Sequence, residues 1–155
     1  MHKLLKKDKK GFTIIEVLIV LAIAGLILLI VFLAVPALQR NSRNTQHKNG
    51  IAAVMSAVNE SEANNNGALP TQVAIATNGD ISVTNGGTAA VMGKTQGGYT
   101  ASVGTTAPTE PGVFVIVLNK KCNGNALATT TTKRAVAGLY VVETAGGTTP
   151  QCTES

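Results

Sequence analysis

Residues 9–38 read KKGFTIIEVLIVLAIAGLILLIVFLAVPAL, two lysines followed by a long apolar stretch. From Val17 to Gln39 there are 23 consecutive residues without a charge. A helix rises about 1.5 Å per residue, so this stretch reaches about 35 Å and can cross a hydrocarbon core about 30 Å thick with some tilt. The sequence therefore predicts a hydrophobic transmembrane helix over 12–38.

The charges around this helix predict its orientation. Residues 1–10 read MHKLLKKDKK and carry +4 of the formal charge of +5, while Glu16 contributes −1 and everything after it +2. Basic residues next to a membrane span stay cytoplasmic, which places the C-terminal part outside. A secretory signal peptide has an apolar core of only about 7–15 residues, so a single span fits better.

The water-facing part, about 117 residues, is large enough for one small domain. It holds one histidine, His47, and shows no phosphate loop, nucleophile elbow or His/Cys metal spacing. We therefore expect no enzyme, no cofactor and no metal, and interpret His2 and His47 as surface histidines. Aromatic residues make up 3% of the chain and tryptophan is absent, so the sequence gives no sign of direct contact with nucleic acid.

Glu16 is the exception within the apolar sequence. A lone acid one turn into a lipid-spanning helix costs about 2–3 kcal/mol. Either Glu16 stays wet near the interface, or it has a cationic partner. A cut between Gly11 and Phe12 would create such a partner, because the new ammonium at Phe12 would lie one turn from Glu16 at the positive end of the helix dipole. The carboxylate of the same or a neighbouring chain could then pair with it where water is excluded.

The segment Lys9–Val20, KKGFTIIEVLIV, resembles the class III signal of type IV pilins and pseudopilins. The resemblance covers roughly residues 1–45. It implies that a prepilin peptidase removes a basic leader, residues 1–11, by cutting after Gly11, and then methylates the nitrogen of Phe12. It also implies that Glu16 contacts the N-terminal amine of a neighbouring subunit during filament assembly.

Gly25 and Pro36 are the expected weak points of the apolar helix. Glycine has poor helix propensity, and proline lacks the N–H that the helix needs. In the pilin family the segment between such residues can kink or lose helicity inside the filament. Family members often place the proline about eight residues after the glycine, whereas Pro36 comes eleven residues after Gly25.

An amphipathic continuation of the helix is predicted over 39–64. Ile51, Val54, Met55 and Val58 follow the spacing of one apolar helical face. Gly50 is expected to weaken this helix by about 1 kcal/mol relative to alanine. The run NNNG at 64–67 predicts the end of the helix.

Residues 65–155 are predicted to form a globular β head. Gly112–Leu118 and Arg134–Glu143 are the strongest strand candidates, and 81–83 and 99–103 are weaker ones. The long polar stretch 68–111 is expected to be a variable loop, which the resemblance places on the filament surface. The predicted fold class is α+β, with a long N-terminal helix packed against a small antiparallel sheet as in pilins.

Cys122 and Cys152 are the only cysteines. Outside the cytoplasmic membrane an even count favours a disulfide over two free thiols. Closing this loop would stabilise the head by about 3–4 kcal/mol. The bounded region, 122–152, resembles the exposed, partner-facing C-terminal region of type IVa pilins. It contains Thr129–Thr132, which is either a flexible polar loop or a glycosylation site.

The sequence therefore favours a structural subunit of a type IV pilus, serving motility, adhesion or DNA uptake. The resemblance implies a single-pass prepilin in the cytoplasmic membrane, then an extracellular filament of its own copies. Its implied partners are the prepilin peptidase, the assembly platform and minor pilins. One alternative is a type II secretion pseudopilin, although several of those bind calcium and no acidic cluster occurs here. Another is a monomeric membrane-anchored binding module that retains residues 1–10.

Overall fold

A computed structural model describes residues 11–154. Residues 1–10, which hold most of the predicted leader and His2, lie outside the described residues, as does Ser155. One helix, α1 (Ile14–Asn64), precedes seven strands: β1 (Gln72–Ile75), β2 (Asp80–Asn85), β3 (Thr88–Lys94), β4 (Thr100–Val103), β5 (Val113–Asn123), β6 (Ala126–Thr144) and β7 (Gly147–Glu154). The chain divides into two units between Gln39 and Arg40.

The first unit contains the apolar part of α1. This helix is long and apolar enough to cross a membrane, and no residue in its most apolar stretch is buried. Among residues 11–154, the exposed large hydrophobic side chains lie between Phe12 and Leu38, with the single exception of Val91 in β3. Soluble monomers rarely expose contiguous apolar patches of more than a few hundred Å², so this surface needs lipid or protein around it.

The second unit is a head built on the rest of α1. The predicted stripe Ile51, Val54, Met55 and Val58 is buried, each residue at 6% exposure or less. The helix ends where the asparagine run predicts, since Asn66 and Gly67 both adopt positive φ. The Gly67 N–H donates to the Glu62 carbonyl at 2.7 Å, which satisfies one of the last free carbonyls of the helix.

The strands form two sheets, and the fold class is α+β as predicted. The order β1-β2-β3 gives an antiparallel sheet, and the order β4-β5-β6-β7 gives a mixed one. In the mixed sheet β4 runs parallel to β5, and the other pairs are antiparallel. Alternate residues of β5 and β6, including Phe114, Ile116 and Val136, pack in one core with the buried face of α1.

The loop expected over 68–111 is wrong, because four strands, β1 to β4, lie there. Two of them confirm the weaker strand candidates, since β2 contains 81–83 and β4 covers most of 99–103. The first sheet buries few large side chains, chiefly Val73, Ile81 and Val83, each at 1% exposure or less. Small or polar residues fill most of the remaining positions of this sheet, so alternation of large apolar residues is weak in the sequence. The sequence does not predict β1, β3 or β7; the residues of β7 are mostly polar, and this strand forms by pairing with β6.

The prediction of a surface histidine is wrong for His47. The side chain is 6% exposed, and its ring lies 5.8 Å from the Tyr99 ring, centroid to centroid. Tyr99 in turn packs against Phe114, with 5.2 Å between centroids. His47 lies three and four residues before Gly50 and Ile51, so it shares their buried helix face.

Gly50 allows this close packing. A Cβ added there would lie 2.7 Å from Phe114 Cζ and 3.0 Å from Tyr99 Cε2. The sequence gives only the cost of glycine in a helix, whereas the structure shows why the position excludes a larger residue.

We expect Gly50→Ala to destabilise the head despite its better helix propensity. Overpacking a fully buried core costs about 1–3 kcal/mol, and the gain in propensity returns about 1 kcal/mol. The net loss in the free energy of unfolding should be about 1 kcal/mol by urea titration. Ser56→Ala, on the exposed face of the same helix, is the control and should not destabilise. A Gly50→Ala variant more stable than wild type would contradict the packing argument.

Two side chains of α1 hold the end of β6. The Asn44 amide donates to the Glu143 carbonyl at 2.8 Å, and its oxygen accepts the Glu143 N–H at 2.7 Å. The Arg43 guanidinium donates two hydrogen bonds to the Glu143 carboxylate, from Nε to Oε1 at 2.8 Å and from Nη2 to Oε2 at 2.6 Å. These hydrogen bonds from Arg43 hold the pKa of Glu143 below its usual value.

We expect the stability supplied by this contact to depend on pH. Because the pKa of Glu143 is lowered in the fold, its contribution is present above the unfolded value, about 4.3, and is lost as pH falls through the folded value. Glu143→Gln should therefore unfold more easily than wild type at pH 7, and the two should converge in acid. Thermal unfolding between pH 7 and pH 3 measures this. Exposed Glu60→Gln serves as the control, and a Glu143→Gln deficit unchanged by pH would contradict the ionic role.

Candidate processing and assembly site

The junction between the basic leader and the helix is accessible. Gly11, Phe12 and Thr13 precede the first helical residue, Ile14, and all three are exposed, Phe12 at 90%. A Cβ added at Gly11 would meet no atom within 4 Å. The fold of this chain therefore does not itself require glycine at 11, and the Gly11–Phe12 peptide bond is open to an approaching enzyme.

Thr13 and Glu16 form a capping box at the start of α1. The Thr13 N–H and the Thr13 hydroxyl both donate to Glu16 Oε2, each at 2.7 Å. The Glu16 N–H lies 3.4 Å from Thr13 Oγ1 and donates to it weakly. Reciprocal bonds of this kind between the N-cap residue and the third helical residue satisfy backbone donors that the first turn leaves free.

This arrangement adds a role for Glu16 that the sequence reasoning missed. The two roles predicted from the sequence are a Glu16 carboxylate hydrated near the interface and one paired with a cation. Thr-x-x-Glu before an apolar run is nevertheless a recognisable capping signature. Both hydrogen bonds from Thr13 end on one oxygen, Oε2. A carboxylate offers about four lone-pair sites over its two oxygens, so a capped Glu16 can still accept a cation.

The other predicted residues of the N-terminal segment lie further along the helix. Gly25 and Pro36 are both inside α1, which is assigned as continuous from Ile14 to Asn64. A Cβ added at Gly25 would meet no atom within 4 Å. The kink or loss of helicity at these residues stays a prediction.

The two cysteines lie in the head and are joined by a disulfide. Cys122 belongs to β5 and Cys152 to β7, and their Cα atoms are 5.7 Å apart. Over the part of the chain that the structure describes, no group of three or more histidine, cysteine or acidic residues is placed to hold a metal ion. The residues with recognisable chemistry therefore gather at the start of α1.

A comparison with protein families agrees with this placement. The model described as "Prokaryotic N-terminal methylation motif" matches residues 6–32. The chain carries a type IV prepilin-like signal. The match includes Gly11, Phe12, Glu16 and Gly25, and it ends before Pro36. No curated protein and no solved structure matches the chain.

The signal supports a type IV pilin-like or pseudopilin prepilin. It implies processing by a prepilin peptidase and assembly into a pilus or pseudopilus. It also points to a structural subunit and not to an enzyme. Together with the apolar helix, it suggests that the chain enters a membrane before assembly.

We expect Gly11→Val to block removal of the leader without disturbing the fold. Nothing lies within 4 Å of a Cβ at this position, so the effect should arise in the peptidase and not in the substrate's own packing. Co-expression with a prepilin peptidase, followed by intact-mass measurement, should find only full-length protein. Gly25→Ala, equally free of contacts, is the control and should be processed. Normal cleavage of Gly11→Val would contradict the assignment of the cut site.

Proposed function

We propose that this chain is a structural subunit of a type IV pilus. It enters the cytoplasmic membrane as a prepilin with its N-terminus in the cytoplasm. Residues 1–11 are the leader, which is removed after Gly11, and Phe12 is then methylated on nitrogen. Residues 12–38 form the membrane span and later the filament core, residues 39–64 support the head, and residues 65–155 form its remainder.

The observation that carries this proposal is the exposed apolar surface directly after a processing signal. Residues between Phe12 and Leu38 leave almost all of their large hydrophobic side chains uncovered. Lipid can cover such a helix, and so can copies of the same helix, because both present hydrocarbon. A subunit can therefore leave the bilayer and enter a fibre without exposing this surface to water.

Charge at the start of the helix supplies specificity for this exchange. Cleavage after Gly11 creates an ammonium at Phe12, beside the positive end of α1. The capping box holds the Glu16 carboxylate at this end. Between helices, where water is scarce, an unpaired charge is costly, so the ammonium of one subunit favours the carboxylate of another. The pair fixes how neighbouring subunits align along their helices.

The partners follow from this sequence of events. The peptidase acts on the prepilin, the assembly platform extracts the processed subunit, and minor pilins share the fibre. The main partner is the chain itself, in a helical homo-oligomer outside the cell. Motility, adhesion and DNA uptake are functions that such a fibre can serve.

A pseudopilin of a type II secretion system is the second candidate, because it carries the same kind of signal and assembles through the same kind of helix. The two differ in the fibre, since a pilus extends from the cell surface and a pseudopilus is a short piston. Long surface fibres that contain this chain would favour the pilus, and their absence would favour the pseudopilus.

Two substitutions at Glu16 separate capping from charge pairing. Glutamine at the third helical position can still complete a capping box, but it cannot form an ion pair. We expect Glu16→Gln to insert, to be processed and to enter fibres poorly, with a yield at least about tenfold below wild type, as loss of a buried ion-pair partner worth more than 1.4 kcal/mol would give. Glu16→Ala, which loses both interactions, should be no better.

The measurement is the amount of the chain in sheared surface fibres relative to its amount in membranes. Thr13→Ser keeps a capping hydroxyl and is the matched control, which should assemble normally. If Glu16→Gln assembles as well as wild type while Glu16→Ala fails, capping alone explains Glu16 and the ion pair is wrong. If both assemble normally, neither role is needed for a filament.

A further inference from the structure

The four-stranded sheet has a second hydrophobic core on the face turned away from the main one. Val115 and Val117 of β5 pair with Leu139 and Ala137 of β6, and all four are 7% exposed or less. Their neighbours along the strands, such as Phe114 and Ile116, belong to the main core with α1. Since side chains alternate across a sheet, this second cluster, here called the outer core, faces away from the helix.

The end of the β5–β6 hairpin covers the outer core together with Cys152 of β7. The partly buried residues that pack against it are Cys122, Leu127 and Cys152. Cys122 and Leu127 face each other near the hairpin turn. The hairpin end must therefore fold back over the outer face of its own sheet.

A large bulge accounts for this bend. Leu118 pairs with Val136, and the next pair is Lys120 with Thr131, so four residues of β6 stand opposite a single residue of β5, Asn119. Bulges bend the strand that contains them. Within this bulge Asn119 and Arg134 adopt left-handed φ of 57° and 62°, and the Asn119 side-chain oxygen accepts the Arg134 N–H at 3.2 Å.

The bulge is also fixed to the end of α1. The Arg134 guanidinium donates to the carbonyl oxygens of Asn66 at 3.0 Å and Gly67 at 3.3 Å. These carbonyls follow the last turn of a helix that has no basic residue of its own there. The bend therefore has an anchored base, and the hairpin end, residues 120–131, lies beyond it.

Besides the packing of Cys122 and Leu127, a disulfide and one hydrogen bond join residues 120–131 to β7. The disulfide joins Cys122 to Cys152 of β7, although β6 lies between β5 and β7 in the sheet. Next to it, the Cys122 N–H donates to Glu154 Oε2 at 3.1 Å. By contrast, the bond from Lys120 Nζ to the Thr129 carbonyl lies within the hairpin end and does not hold it to the sheet.

We propose that residues 120–131 form a flap over the outer core, hinged at the Asn119–Arg134 bulge and closed by the Cys122–Cys152 disulfide. Reduction opens the flap and uncovers Val115, Val117, Ala137 and Leu139, while the main core under α1 stays folded. A dithiol supplies the two electrons and two protons. The dithiol is oxidised to a cyclic disulfide. The bond between Cys122 Sγ and Cys152 Sγ breaks, and the two cysteines become thiols.

Hydrogen exchange of the full chain in detergent micelles, read by mass spectrometry with and without dithiothreitol, tests this proposal. On reduction, amides of 120–131 should exchange at least about tenfold faster, as expected for a segment that opens independently of the rest. Amides of α1 between Ile51 and Val58 should keep the protection from exchange that they have in the oxidised protein. Complete reduction is verified by counting alkylated cysteines.

The double variant Cys122→Ala, Cys152→Ala, measured without reductant, is the control for effects of dithiothreitol itself. It should reproduce the reduced pattern, and adding dithiothreitol to it should change nothing. Equal loss of protection in 120–131 and in α1 of the reduced wild type would overturn the flap, because the disulfide would then support the whole head. Unchanged protection after complete reduction would overturn the role of the disulfide as the closure.

Discussion

The apolar surface between Phe12 and Leu38 is the constraint on which the rest of the molecule depends. It can be covered by lipid or by other helices but not by water. Together with the prepilin-like signal, the segment suggests that the chain enters a membrane, and in the proposed fibre copies of the chain would bury it again. Under the proposed function, the uncharged run, the lysines of the predicted leader and the exposed Gly11–Phe12 bond all serve this one change of surroundings. Glu16 is tolerated in the segment because Thr13 already satisfies part of its carboxylate.

The second half of α1 makes the head possible by allowing the sheet to come close. Gly50 admits the rings of Phe114 and Tyr99, and Gly138 on β6 leaves room for Ile51 and Met55, whose atoms would lie 2.9–3.1 Å from an added Cβ. Two glycines, one on each element, thus permit a small, dense core. Because the helix occupies one face of the four-stranded sheet, the other face needs its own cover, and the disulfide-bounded hairpin provides it.

The sequence predicts the helix and the two long strands β5 and β6, because each has a strong local signal. The apolar run, the amphipathic stripe and GVFVIVL each lie within one short segment of the chain. The strands between Gln72 and Val103 lack such a signal, since pairing with neighbours and not large side chains defines them. The hydrogen bonds of Arg43 and Asn44 to Glu143 join residues about a hundred positions apart. The buried His47 packs against Tyr99, about fifty positions away, so no local pattern reveals either contact. The Thr13–Glu16 capping box has a local signature, Thr-x-x-Glu before an apolar run, from which the sequence alone can predict it.

The most direct test of the account is the intact mass and N-terminal sequence of this chain in material sheared from the cell surface. The account predicts a chain that starts at Phe12, carries one added methyl group and is abundant in long fibres. A chain that still starts at Met1 would contradict both processing and assembly. A chain that starts at Phe12 but occurs only in membranes would contradict the surface pilus and leave the pseudopilin.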